Sequence, residues 1–283
     1  MFLSSLIGAL NGAIAKLLSQ DISSLEIVFF RNLFGVFFIL ATLKHTPSTH
    51  KGGKPWLLVW RGIFGFSALL LFFYTISSIP LGEAITLNKT SPLFVALLSF
   101  WILKEKPTPK SILALIAGFV GIVLITKPFG ISFSVAHILG AIGGFLAAAA
   151  YTTIGKIKDI YDSRTIVLSF MTTGVIAPLI LFAISSFYAP KELSFMLSPF
   201  QTPSSLKVWL LLFALGITAT LSQYFLTKAY SSSHAFIVAT VSYVNIPFAI
   251  FFGFLLGDSI PDTLTIIGIF LIVAAGIAVK SGK

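Results

Sequence analysis

Two basic side chains stand inside otherwise apolar runs of this sequence: Lys89 and Arg31. An ionisable group placed there is costly and faces either a partner or a water-filled cavity. An ammonium and a guanidinium suit one chemistry in particular, the non-covalent capture of a carboxylate or phosphate, which the guanidinium can grip bidentately. Polar neighbours accompany them. Asn88 adjoins Lys89, Tyr74 supplies a phenol in the preceding run, and Tyr243 and Asn245 lie in a later run. Pro92 and Pro247 each remove a backbone hydrogen bond in mid-run and free a carbonyl of the preceding turn. Asn88, Lys89, Tyr243 and Asn245 lie beside those freed groups. Discontinuous helices flanked by polar side chains point to a substrate site, although a helical proline can also serve as a packing kink. The candidate substrate contacts are therefore Lys89, Arg31, Asn88, Tyr74, Tyr243 and Asn245, with Pro92 and Pro247 as helix breaks that gate the site.

Duller readings compete with each. Lys89 could pair with Glu83 or snorkel outward, and Arg31 could be a packing residue. Glu26, five positions earlier, is too far round a helix to pair with Arg31. Glu83 could carry a proton, yet a carboxylate in a first helical turn is also simply favourable to the dipole. Lys16 reads as a snorkelling residue. Asn11 and Gln223 fit a ligand or a neighbouring helix equally well. Trp56, Trp60 and Trp209 fit interface anchors. Gly8/Gly12, Gly140/Gly144 and Gly253/Gly257 form GxxxG patterns, which signal close helix approach.

Every one of these side chains has to be carried by a membrane-spanning element. The chain has 283 residues, 57% hydrophobic and 10% charged, with a mean hydropathy of +1.00. Soluble domains are about 45–50% apolar and about 25% charged. A helix crossing the hydrocarbon needs about 20 apolar residues. Ten such runs occur, near 2–19, 24–43, 56–78, 83–103, 110–126, 135–156, 164–188, 206–230, 235–257 and 263–280. The composition predicts an all-α polytopic protein whose partner is the lipid bilayer. The net charge of +10 does not indicate nucleic acid, because the cations sit in gaps between apolar runs rather than on one exposed face. The absence of cysteine removes disulfides, thiolate metal sites and cysteine nucleophiles. The four histidines are scattered without metal-ligand spacing, and no phosphate-binding glycine loop ending in Lys-Ser or Lys-Thr is present. No catalytic residue, metal or cofactor is implied, and ATP does not drive this chain directly.

Orientation follows from the Lys and Arg of the short gaps and helix ends. One side would hold Lys44, Lys51, Lys54, Arg61, Lys104, Lys106, Lys110, Lys156, Lys158, Arg164, Lys228, Lys280 and Lys283; the other only Lys127, Lys191 and Lys207. Both termini are expected on the cytoplasmic side. The two halves also align without a gap when shifted so that Pro92 meets Pro247, Ala84 meets Ala239, Gly121 meets Gly276 and Thr108 meets Thr263. Five spans is an odd number, so the second copy enters from the opposite side. Inverted repeats of this kind allow two halves to rock about a midplane site. The repeats are placed at 1–127 and 135–283.

The residues Phe73-Tyr74, Ile79-Pro80-Leu81, Ala84, Ser91-Pro92-Leu93-Phe94 and Leu103-Lys104-Glu105 resemble the end of the first repeat of EamA-type transporters of the drug/metabolite transporter superfamily. Ala229, Ala235, Tyr243, Pro247, Gly257-Asp258, Pro261 and Gly268 resemble the second. The sequence departs from the usual Gly-Glu ending, with Lys104-Glu105 in one half and Gly257-Asp258 in the other. The resemblance implies a secondary transporter with a central cavity lined by spans 1–4 and 6–9, spans 5 and 10 being peripheral. The expected function is alternating-access transport of a small polar metabolite, amino-acid-like or otherwise anionic, across the inner membrane, driven by a proton or counter-substrate. The alternatives are an exporter of cationic or neutral amphiphiles, and a membrane-embedded protein that does not transport.

Overall fold

The computed structural model describes the whole chain except residues 49, 51, 80, 127–133, 191–192, 194–195, 257–261 and 281–283, and except the side chains of 76–77, 81–84 and 279–280. Lys51, Pro80, Lys127, Lys191, Gly257, Asp258, Pro261, Lys283 and the Glu83 side chain, all singled out above, lie outside the described residues. Among the described residues every extended element is a helix: α1 Phe2–Leu18, α2 Ser24–His45, α3 Pro55–Ser78, α4 Leu81–Asn88, α5 Ser91–Leu98, α6 Pro109–Thr126, α7 Val135–Ile157, α8 Ser163–Ser185, α9 Leu206–Ser232, α10 Ala235–Val241, α11 Asn245–Leu255 and α12 Thr263–Lys280. Eight apolar helical stretches are long enough to cross a membrane, and the described parts of the first and last helices are shorter apolar ones. The fourth span is α4 plus α5, and the ninth is α10 plus α11. Leu113 and Phe270, 68% and 70% exposed, show the apolar outer face that lipid covers.

Local chemistry sets the helix ends. Ser23 caps α2 through a reciprocal box: its hydroxyl accepts from the Glu26 amide at 3.3 Å, while its own amide donates to Glu26 Oε2 at 2.9 Å. The Gln201 amide donates to the other oxygen, Oε1, at 2.7 Å. Glu26, 2% exposed, is thereby consumed by backbone donors and is no counter-ion for Arg31. Asp162 caps α8 and pairs with Arg164 at 3.1 Å. Burial opposes the Asp162 charge, but the hydrogen bonds from Arg164 prevail and hold its carboxyl below the usual range.

The spans that carry Pro92 and Pro247 both break, whereas α8 stays continuous through its interior Pro178. Between α4 and α5 the chain makes a turn at Lys89-Thr90, where the Thr90 hydroxyl donates to the Leu87 carbonyl at 2.5 Å. Pro92 removes the donor that the Asn88 carbonyl would otherwise meet, and Pro247 does the same to Tyr243. In the ninth span the result is a short 3₁₀ segment, Ser242–Val244. The fourth span ends in a π-helical turn, Ser99–Leu103, closed by Lys104 in the left-handed region at φ 57°.

Helix contacts repeat under exchange of the halves. The pairing α3·α7 mirrors α1·α9, α3·α8 mirrors α2·α9, and α5·α7 mirrors α1·α11, while α2·α8 and α6·α12 map onto themselves. This is the pattern of two five-span halves related by a two-fold. The pairing of α6 with α12 is intimate. A Cβ added to Gly121 would stand 2.7 Å from the Gly268 carbonyl oxygen, and one on Gly268 2.5 Å from that of Gly121. Gly121 thus meets Gly268 rather than Gly276, its partner in the sequence alignment of the halves. Gly8, Gly140 and Gly144 are close-approach sites as expected, whereas a Cβ on Gly12 would meet nothing within 4 Å among the described residues.

At one end of the bundle several gaps are tied together. Tyr161 Oη accepts from the amides of Gly53 and Lys54 at 3.3 and 3.1 Å. Arg164 donates to the Thr42 carbonyl at 3.1 Å. Both Glu105 oxygens accept from the Ala235 amide, each at 2.9 Å.

Substituting Gly121→Val should push α6 and α12 apart at backbone level and destabilise by about 1–3 kcal/mol or more, read as a lower melting temperature in detergent. Removing the carboxylate in Glu105→Ala should cost about 1–2 kcal/mol, since a charge-assisted cap is lost. A left-handed residue with a Cβ costs about 1–2 kcal/mol. Lys104→Gly should therefore be neutral to stabilising and the β-branched Lys104→Val destabilising; equal loss in both would refute the strain.

Candidate functional site

A cavity of about 250 Å³ lies inside the bundle, lined by Gly8, Arg31, Arg61, Gly65, Ala68, Leu69, Phe72, Asn88, Ala147, Ala150, Tyr151, Phe170 and Gln223. It draws on α1, α2, α3, α4, α7, α8 and α9, with α6 and α12 outside it. A larger hollow, about 350 Å³, is lined chiefly by Leu57, Trp60, Phe64, Leu98, Ile102 and Phe145. Trp60, Ile102 and Phe145 are exposed on the outer face, so that hollow is a groove open to lipid. The smaller cavity is the one with chemistry in it.

Small residues make room for that chemistry. Gly8, Gly65, Ala68, Ala147 and Ala150 leave space beside the helix backbones, and long polar side chains occupy the margin. No carboxylate is among the described lining residues. The Nε atoms of Arg31 and Arg61 and Oε1 of Gln223 are buried without a hydrogen-bond partner among the described residues. Arg61 is 1% exposed, and its guanidinium carbon lies 4.8 Å from the centroid of the Phe170 ring. The Tyr151 phenol is an electrostatic neighbour of both arginines and stacks on Tyr230 with ring centroids 5.2 Å apart. Among the described residues the site has donors for an anion and nothing resembling a metal-binding cluster.

The sequence candidates divide. Arg31 and Asn88 line the cavity. Lys89 and Asn245 are brought together outside its lining: Lys89 Nζ donates to Asn245 Oδ1 at 3.4 Å, and Asn245 Nδ2 donates to the Ser5 carbonyl at 2.8 Å. This chain of contacts links the fourth, ninth and first spans at the two helix breaks, beside Pro92 and Pro247. Tyr243 is 0% exposed and packs among Leu115, Ile122, Ile246 and Ile272, against α6 and α12. It belongs to that apolar cluster and not to the cavity wall. Tyr74 follows the cavity-lining Phe72 by two residues, about 200° further round α3, and is not part of the lining.

Sequence reasoning misses Arg61 and leaves Gln223 undecided. A count of cations near helix ends treats Arg61, six residues past Pro55, as facing a loop, but the structure buries it. Its signal is present in the neighbouring glycines, Gly62 and Gly65, which let α8 approach. Asn11, the other undecided amide, donates to the Leu215 carbonyl and the Thr218 hydroxyl at 2.8 and 2.9 Å; it joins helices.

Comparison with known proteins agrees with this architecture. Residues 1–127 match the EamA-like transporter family. The pseudopaline exporter CntI of Pseudomonas aeruginosa (strain UCBPP-PA14) is 34% identical, covering 99% of this chain and 94% of the exporter. An S-adenosylmethionine uptake transporter of Rickettsia conorii is 27% identical over 96% of this chain and 88% of its own. A crystal structure only 16% identical superposes with a TM-score of 0.80, covering 99% of this chain and 98% of the other, and so shares the fold. Ten apolar spans, an interior polar cavity and this likeness over the full length place the chain in the EamA-like transporters of the drug/metabolite transporter superfamily.

Proposed function

We propose that this transporter is a secondary carrier of the cytoplasmic membrane that moves a small carboxylate-bearing metabolite by alternating access. One observation carries the reading: two arginines line a cavity with no carboxylate among its described lining residues. Taking an ion out of water costs several kcal/mol. A cation–π contact such as Arg61 on Phe170 returns about 0.5–2 kcal/mol, too little to balance it. A bound carboxylate supplies the missing charge and accepts from the guanidinium fork. Asn88, Gln223 and Tyr151 add hydrogen bonds that fix orientation. The volume lies just below the usual range of about 300–1,000 Å³ for ligand pockets, in keeping with a compact metabolite.

The halves at 1–127 and 135–283 are the rocking units, with the broken spans as their inner edges. Arg31 holds the substrate anion. Lys89 acts at the breaks, where its contact with Asn245 couples one half to the other, and Pro92 and Pro247 keep those segments from resealing as continuous helices. The termini lie in the cytoplasm: the gaps carrying Lys44, Lys54, Lys104, Lys106, Lys156, Lys158 and Arg164 share the end tied together by Tyr161, Arg164 and Glu105, and Arg61 is withdrawn from that tally. A proton or a counter-substrate supplies the drive. The relatives named above include an exporter and an uptake transporter, and both directions are open to a carrier of this kind. S-adenosylmethionine is an amino-acid derivative, which accords with a carboxylate as the recognised group.

A thermal-shift screen of the purified protein against amino acids, nucleosides and their derivatives tests this. Ligand at 100 times its dissociation constant stabilises by about 2.7 kcal/mol. The expected hits are carboxylates, with affinity reduced at least about tenfold in Arg31→Gln. Lys89→Met should bind within about twofold of wild type yet exchange substrate more slowly in proteoliposomes. Hits confined to cations or neutral amphiphiles would sink the carboxylate reading and favour a drug-type exporter.

A further inference from the structure

The two arginines of the cavity do not sit at the same depth. Arg31 is seven residues from the start of α2, about 10 Å along the axis, and Arg61 is six residues from the start of α3, about 9 Å. These helices are successive spans, so the two distances are measured from opposite ends of the bundle. Packing on α8 sets their separation: Asn32 meets Gly174 while Gly62 meets Ser169 and Thr173, so the two backbone positions stand about 6 Å apart along the axis, and the Arg61 guanidinium reaches back beside Gly65, a turn further into the bundle. The remaining polar lining sorts with them. Asn88, seven residues into α4, shares the level of Arg31. Tyr151, six residues before the end of α7, and Phe170, seven residues into α8, share the level of Arg61. Gln223 joins the lining from α9, on the Arg61 side. The lining thus has two cations at different levels, each with a polar companion, among Gly8, Gly65, Ala68, Leu69, Phe72, Ala147 and Ala150.

We infer that the site takes a substrate with two anionic groups, an amino-dicarboxylate or related diacid, one held at the Arg31 level and the other at the Arg61 level. This rests on the carboxylate-transport reading and deepens it. A single carboxylate bound at Arg31 leaves the Arg61 guanidinium buried over Phe170 with its Nε unpartnered among the described residues. A second carboxylate completes that level, with Tyr151 and Gln223 as further hydrogen-bond partners. Arg61 is then a specificity-determining residue, and it discriminates by number of charges rather than by size. A neutral amide in place of the second carboxylate has the same shape and fails to satisfy the buried cation.

The test compares diacids with their own monoamides on the purified full-length protein: L-aspartate against L-asparagine, L-glutamate against L-glutamine, and L-2-aminoadipate against its side-chain amide. In the wild type the dianionic member of at least one pair should bind about tenfold or more tightly, and the preferred chain length reports the spacing of the two levels. Arg61→Gln should bring the members of that pair within about twofold of each other; Arg61→Lys should restore part of the difference. Equal binding of acid and amide in every wild-type pair overturns the two-anion site and leaves the carboxylate reading standing. Full discrimination retained in Arg61→Gln also overturns it. No response to any carboxylate defeats both. Because the wild-type comparison needs no variant, a misfolded Arg61→Gln does not rescue the proposal.

Discussion

A peptide group without a hydrogen-bond partner costs several kcal/mol in hydrocarbon; Pro92, Pro178 and Pro247 each free one inside a span, and the helix breaks at the first and last of them while α8 runs on through Pro178. Such a break is tolerated only where protein or a water-lined space covers it. The fold answers by laying each broken span against a glycine-bearing helix of the opposite half. The turn at Thr90 lies on Gly144 of α7, where a Cβ would meet the Thr90 hydroxyl at 2.5 Å and the Leu87 carbonyl at 2.9 Å. The break at Asn245 lies beside Gly8 of α1, with the amide at 3.5 Å from the corresponding position. Thr90 and Asn245 are the residues that coincide when the halves of the sequence are superposed. The cavity opens in the middle of this arrangement because close backbone approach at its edges leaves only small side chains to fill its centre.

Much of this is legible in the sequence, because it follows from length and hydropathy. Ten runs of about 20 apolar residues admit few outcomes; Pro92 and Pro247 mark the breaks, although an interior proline alone does not, since α8 runs on through Pro178. Helical geometry alone separates Glu26 from Arg31, and the capping box shows what the carboxylate does instead. The interior of the bundle is harder to read. An apolar helix in lipid has no polar face to contrast with a buried one, so periodicity does not say which way Tyr74 or Tyr243 points. Tyr243 goes to a core cluster and Gln223 to the cavity, though both stand amid similar residues. Arg61 is the costliest omission. Counting cations near helix ends treats them as loop charges, and six residues of helix is a depth that a long side chain could snorkel from. What decides between snorkelling and burial is the packing of α8 over Gly62 and Gly65, which is tertiary information.

On the alternating-access proposal, stability and motion fall to different parts of the bundle. The peripheral pair α6 and α12 meets backbone to backbone at Gly121 and Gly268, a contact that cannot slide without a clash. The inner spans meet through hydroxyls and amides, such as the reciprocal Ser4–Ser222 bonds at 2.8 and 3.0 Å. Ties at one end of the bundle, such as Glu105 to the Ala235 amide and the His234 ring, are small groups of polar contacts at helix ends. A fixed rim around an adjustable interior is what a carrier needs in order to change access without unfolding.

The crossed placement of glycine and polar partner also governs how such a sequence can drift. Gly144 is constrained by the size of residue 90, which lies in the other half, and Gly8 by that of residue 245. Neither glycine answers to its own repeat. The halves can therefore diverge in composition, as these have, yet inherited change should be correlated between them at the crossing points, so that an enlargement in one is matched by a reduction across the interface.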